Sequence, residues 1–169
     1  MSTTLYVVRH GIAADAGAGV SDADRALTPE GARRMTRAAL GLRRLAVRPD
    51  AILASPLRRA EQTAERLRSV LCPESAVEIL AALAPGHEPL AILTELAIHR
   101  GARQIILVGH QPDMGELASY LLTGSATLAP FDFKKGAVAA IEVATLPPRS
   151  TGLLRWFMPP RHLRLLARR

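Results

Sequence analysis

Aromatic side chains make up 4% of the 169 residues: one tryptophan, two tyrosines and three phenylalanines. The core must therefore be aliphatic, and the stacking rings that single-stranded nucleic-acid binders rely on are too few to carry that function. No basic run alternates with aromatics either, so no nucleic acid is expected as a partner. A single cysteine, Cys72, cannot form an internal disulfide, which fits a reducing compartment. No uninterrupted apolar run reaches membrane-spanning length. Met1–Ser2 leads straight into an apolar strand-like run, with no charged and apolar leader ahead of it. A cytoplasmic protein with no membrane partner is the expectation.

The composition that remains, 49% apolar and 22% charged, is that of a globular chain. At 169 residues it is read as one domain, acting as a monomer, with enough chain for a sizeable core. No repeat, linker or low-complexity tract interrupts it. The net charge is +7, from 22 basic against 15 acidic side chains. The excess reads first as a compositional preference for arginine, and second as a field that steers anions inward.

The chain is organised around Leu5–Gly11, where four apolar residues run into Arg9, His10 and Gly11. The run is short, rich in β-branched residues and not alternating, as in a buried parallel strand. Ligands of open α/β sheets bind just outside the carboxyl ends of such strands. The pattern returns at Ala51–Ala54, which empties into Ser55-Pro56-Leu57-Arg58-Arg59, and at Gln104–Val108, which empties into Gly109-His110. Three strands thus deliver Arg9, His10, an arginine at 58 or 59, and His110 to one sheet edge. Guanidinium forks match phosphate oxygens bidentately, so the natural guest is a phosphoryl group.

Between these strands the spacing predicts helices. Thr28-Pro29-Glu30 is a helix start, with Thr28 as N-cap and an apolar stripe from Ala32 through Met35, Ala39 and Leu42 to Leu45. A second helix over Leu57–Leu71 turns Ala60, Thr63, Ala64 and Leu67 inward, with free N–H groups at its start facing the pocket. Val77–Leu80 is a short edge strand, Leu90–His99 a third helix, and Pro112–Leu122 a fourth ending at Gly124. Residues 12–20 and 126–135 read as loops. Gly136–Ala144 and Gly152–Met158 read as a terminal strand pair, and Pro159–Arg169 as a short helix. Alternating strands and helices make an α/β three-layer sandwich, with a mostly parallel central sheet and helices on both faces.

Leu5–Gly11, Ala54–Thr63 and Val108-Gly109-His110 together resemble the histidine phosphatase superfamily, whose fold is that of phosphoglycerate mutase. The likeness runs from the first strand to Trp156. It implies that His10 is a phosphoryl-accepting nucleophile, that Arg9 and Arg59 (not Arg58) bind phosphate, and that His110 completes the pocket. Gly11, Arg25 and Ser55 are implied at its edge. Such chemistry calls for no metal and no cofactor. A neutral imidazole attacks phosphorus, water hydrolyses the intermediate, and Arg9, Arg59 and a protonated His110 surround the equatorial oxygens.

Glu88 is the best-placed candidate general acid, with Asp15 and Asp113 behind it. Rival phosphoryl chemistries lack their parts. Glu78 stands where a thiol-phosphatase loop starting at Cys72 would need arginine. There is no Gly-rich Lys-Ser/Thr loop, and the aspartates are scattered rather than gathered for two metals. His87, His99 and His162 read as turn and helix-end residues. The chain has little material for a lid. Among small family members it is most similar to phosphohistidine phosphatases of the SixA type, which implies a phosphohistidine-bearing protein as substrate. A small phosphorylated metabolite, or binding without catalysis, are the alternatives.

Overall fold

The structure is a computed structural model and describes residues 2–17 and 19–168. Met1, Ala18 of the expected 12–20 loop, and Arg169 at the end of the expected tail helix lie outside the described residues. Six strands form one sheet: β1 (Thr3–Arg9), β2 (Ala51–Ala54), β3 (Val77–Ile79), β4 (Gln104–Gly109), β5 (Val138–Val143) and β6 (Leu153–Met158). Their order is β3-β2-β4-β1-β5-β6. β1 to β4 pair in parallel, and β5 and β6 extend the sheet antiparallel, as the terminal pair expected.

β1 does not alternate because both of its faces are covered. Tyr6 and Val8 face a cluster with Met35, Leu42, Leu67 and Leu163, which belong to α1 (Pro29–Arg44), α2 (Arg58–Leu71) and α5 (Pro160–Leu166). Leu5 and Val7 face the opposite cluster, built with Ile92, Leu93, Leu117 and Leu121 of α3 (Pro89–Glu95) and α4 (Asp113–Thr123). The three-layer expectation therefore holds, with helices on both faces. The third helix is shorter than its spacing suggests. After Glu95 it tightens into a 3-10 turn over Leu96–His99, which keeps Leu96 buried and leaves Ile98 in solvent. Gly124 ends α4 as expected, in the left-handed conformation (φ 78°) that favours glycine. Among the described residues, no helix is long and apolar enough to cross a membrane.

The start of α1 is set locally. The Thr28 hydroxyl accepts from Gly31 N at 2.9 Å, Pro29 opens the helix, and Glu30 lies in its first turn. Its arginines at 33, 34, 37, 43 and 44 face water. Two buried glycines set what the helix packs on. A Cβ at Gly31 would collide with the Ile12 carbonyl, and one at Gly41 with the Leu163 carbonyl of α5. Gly31 thus seats the segment that follows His10, and Gly41 seats α5.

Gly41→Ala tests that close approach. The substitution gains about 1 kcal/mol of helix propensity, yet overpacking costs about 1–3 kcal/mol. A lower urea midpoint is expected. An equal or higher midpoint would show that α5 yields without cost.

Candidate active site

Strand register brings the site together. Arg9 pairs with Gly109, and Ala54 with Val108. One residue further on, His10 N donates to Gly109 O at 3.0 Å and Ser55 N to Val108 O at 2.9 Å. His10 and Ser55 therefore flank His110 from the two neighbouring strands. The imidazoles of His10 and His110 lie 5.1 Å apart, centroid to centroid, tilted by 53°. Both are almost fully buried, at 7% and 3% exposure.

The His10 Nδ1 lies 2.7 Å from the Gly11 carbonyl oxygen. A carbonyl only accepts, so Nδ1 carries the proton and Nε2 keeps its lone pair. Gly11 is itself held: its N–H donates to Thr63 Oγ1 at 3.0 Å, and that hydroxyl donates to Arg59 O at 2.6 Å. Burial pushes the His10 pKa down to about 3, and the charges of His110, Arg59 and Arg9 act in the same direction against the bond to Gly11. On His110, Nε2 pairs with the Ser55 hydroxyl at 2.8 Å, while Nδ1 is buried without a partner. Its pKa falls to about 4, through burial and then Arg59. Among these neighbours His110 is neutral at pH 7, although the Asp22 carboxylate pulls the other way; the proton expected on it around phosphate oxygens calls for the added charge of that anion.

Two guanidiniums complete the ring of groups. Arg9 donates through Nη1 to Phe133 O at 2.6 Å, and its Nε is buried without a partner. Arg59 is buried at 6% exposure while Arg58 faces solvent, which separates the two arginines as the motif alignment did. Arg59 donates to the Asp22 carbonyl at 2.6 Å and to its carboxylate at 3.0 Å. The other oxygen of that carboxylate accepts from Arg25 at 2.8 Å. Arg25 thus reaches the site through Asp22. The loop that carries both is closed by a bridge between Ala13 and Leu27 and by Arg58 N donating to Ala23 O at 3.0 Å.

Asp22 is the residue sequence reasoning missed as part of the site; its signal was an acid three positions before Arg25 in a polar loop. The same loop corrects the reading of α2. The N–H of Arg58 is taken by Ala23 O, and that of Leu57 by Ser55 Oγ at 3.3 Å, so these two donors at the helix start are already engaged. Glu88 stands exposed just before α3, and its carboxylate takes no hydrogen bond or ion pair among the described residues. Asp15 is likewise exposed. Asp113 is buried and accepts from Gly86 N at 2.8 Å, which pins the turn ahead of α3. His87 holds the Ala84 carbonyl, His99 faces Glu78 at 3.5 Å, and His162 is exposed. Burial pushes the Cys72 thiol up, away from thiolate chemistry.

Comparison with known proteins places this arrangement. The family model for the histidine phosphatase superfamily (branch 1) matches residues 5–84. An uncharacterised protein of Picosynechococcus sp. is 42% identical over 123 residues, 71% of this chain and 73% of that one. The phosphohistidine phosphatase SixA of Escherichia coli K12 is 29% identical over 163 residues, 95% of this chain and 96% of that one. A solved structure of the protein histidine phosphatase SixA complexed with tungstate superposes with a TM-score of 0.84 at 29% identity, covering 95% of this chain and 99% of that one.

The depressed imidazoles make stability depend on pH. An unfolded histidine takes a proton near pH 6.5, which His10 and His110 refuse until about 3 and 4 when folded. Between those limits the unfolded chain binds more protons, so stability is fully present above about pH 6.5 and falls as pH drops. Urea midpoints from pH 7 to pH 4.5 should decline, and less steeply in a His10→Asn/His110→Gln variant. Equal slopes would mean that the two rings titrate normally in the folded protein.

Proposed function

The chain belongs to the histidine phosphatase superfamily and is a phosphatase, and from that premise we propose that it removes the phosphoryl group from phosphohistidine on a protein. In this reading His10 is the nucleophile. Its Nε2 lone pair attacks phosphorus while the bond from phosphorus to the substrate imidazole breaks, and that imidazole leaves with the proton it already carries. Water then attacks phospho-His10, releasing inorganic phosphate and restoring the ring. Arg9, Arg59 and His110 bind the equatorial oxygens, whose charge reverses the local field and favours a proton on His110. The buried, unpartnered Nδ1 of His110 and Nε of Arg9 fit that role, since a buried polar group without a partner is costly.

The observation that carries the substrate class is the state of the carboxylates. The acid whose charge acts on His110 is Asp22, and the one whose charge acts on Arg9 is Asp132. Hydrogen bonds from Arg25 and Arg59 hold Asp22 below the usual carboxylate range, and the hydrogen bond from Lys134 does the same for Asp132. Neither has a proton to give at neutral pH. An ester needs one delivered to its leaving oxygen; a phosphohistidine, protonated beforehand on its other nitrogen, does not. The relative named phosphohistidine phosphatase SixA supports the same reading.

Rapid quench with a phosphohistidine peptide, followed by mass spectrometry, should find an acid-labile phosphate on His10. His10→Ala should show none and lose at least about 1,000-fold in turnover. Arg59→Ala should lower kcat/KM about 10- to 150-fold, the loss of one charge-assisted bond of about 1.5–3 kcal/mol. Faster hydrolysis of sugar or nucleotide monophosphates than of the phosphohistidine peptide would overturn the substrate reading.

A further inference from the structure

A cleft of about 360 Å³ opens between the first half of α1, the turn at Lys134 and Lys135, and the start of α5. Its floor includes Gly11, Met35 and Pro160. Gly11 follows His10, so their Cα atoms are about 3.8 Å apart. The lysine turn is tied to the same strand end, since Gly136 N lies 3.0 Å from the carbonyl oxygens of Arg9 and His10. The cleft therefore adjoins the backbone that carries the nucleophile. Its rim is cationic: Arg34, Lys134, Lys135, Arg161 and Arg164.

A second cleft of about 340 Å³ continues the first along α1, lined by Glu30, Arg33 and Arg37, with Arg34 and Arg164 common to both. Glu30 is the acid of this trough, and it already pairs with Arg34. Lys134 pairs with Asp132. Arg33, Arg37, Lys135, Arg161 and Arg164 have no ion-pair partner among the described residues. The crowding is felt at Arg164, whose pKa is lowered by burial and then by Arg34 and Arg37. Like charges gathered on one face raise the energy of the folded chain, and a complementary anionic surface relieves that repulsion.

We propose that the trough between α1 and α5 docks an acidic protein face, one presenting Asp and Glu side chains beside the phosphorylated histidine. That this face belongs to the substrate rests on the function proposed above; the charge complementarity does not. Two adjoining clefts span Glu30 to Arg37 on α1, about 10 Å of helix, more than the second anionic group of a small metabolite would occupy. The lining holds no aromatic ring on which a nucleic-acid base could stack.

The test uses the full chain and a fluorescein-labelled, phosphate-free peptide of alternating Glu and Ala, with a Gln version as reference. Anisotropy in low salt should show binding of the Glu peptide only, weakening as salt is added. Lys135→Glu/Arg161→Glu, both exposed, should weaken it at least tenfold. Arg66→Glu/Arg149→Glu, the same charge change elsewhere on the surface, should stay within twofold of wild type. In a second arm, phosphohistidine peptides flanked by Glu or by Gln are compared. Wild type should favour the Glu-flanked one at least fivefold through KM. The Lys135/Arg161 variant should lose that preference while hydrolysing the Gln-flanked peptide normally.

Equal binding of Glu and Gln peptides would overturn the trough. So would wild-type binding by the Lys135/Arg161 variant, or tighter binding of an oligouridylate of matched charge. If the Glu peptide binds with the expected charge dependence but neither phosphohistidine peptide is hydrolysed, the trough stands and the substrate assignment falls.

Discussion

Two imidazoles 5.1 Å apart, buried beside two guanidiniums, both resist taking up a proton. That constraint governs the chemistry of this pocket. Burial alone disfavours the charged ring, and neighbouring cations disfavour it further. The result is a His10 that is neutral at any physiological pH and oriented by one carbonyl so that its Nε2 keeps its lone pair, as the proposed nucleophile requires. In water, a histidine spends part of its time protonated near neutrality and is then no nucleophile. Here the fold removes that loss, at a cost in stability that appears as pH falls.

The rest of the structure can be understood as what holds those groups in place. Parallel register sets His10, His110 and Ser55 side by side on three adjacent strands. Gly11 and Thr63 fasten the turn after His10 to α2, so the carbonyl that fixes the tautomer does not drift. Asp22 grips the Arg59 guanidinium and joins it to Arg25. A long side chain that would otherwise sample many rotamers is thereby restrained. In the proposed reaction a phosphoryl group would meet Arg59 already oriented, and would share it with an ionised carboxylate.

Much of this was legible in the chain because it is written locally. An apolar strand that ends in Arg-His-Gly, a Thr-Pro-Glu helix start, and a Gly at the end of α4 each state their own geometry. The choice of Arg59 over Arg58 came from the motif and matches their burial and exposure. What was not legible depends on long-range approach. Gly31 and Gly41 look like weak points in a helix until the Ile12 and Leu163 carbonyls are seen against them. Asp22 looks like one polar loop residue among several until the loop folds back on α2. The helix start at Leu57 was read as a set of open donors, because nothing local shows that Ala23 reaches one of them. Glu88 was singled out for following a turn near a strand end; the fold leaves it exposed just ahead of α3.

The state of the His10 ring is the most direct measure of all this. Long-range proton–nitrogen NMR on labelled protein reads tautomer and protonation together. It should find His10 neutral at pH 5, with the proton on Nδ1 and a bare Nε2, and should find no titration between pH 7 and pH 5. A ring that titrates near 6.5, or that carries its proton on Nε2, would contradict a nucleophile held neutral by burial and neighbouring charge.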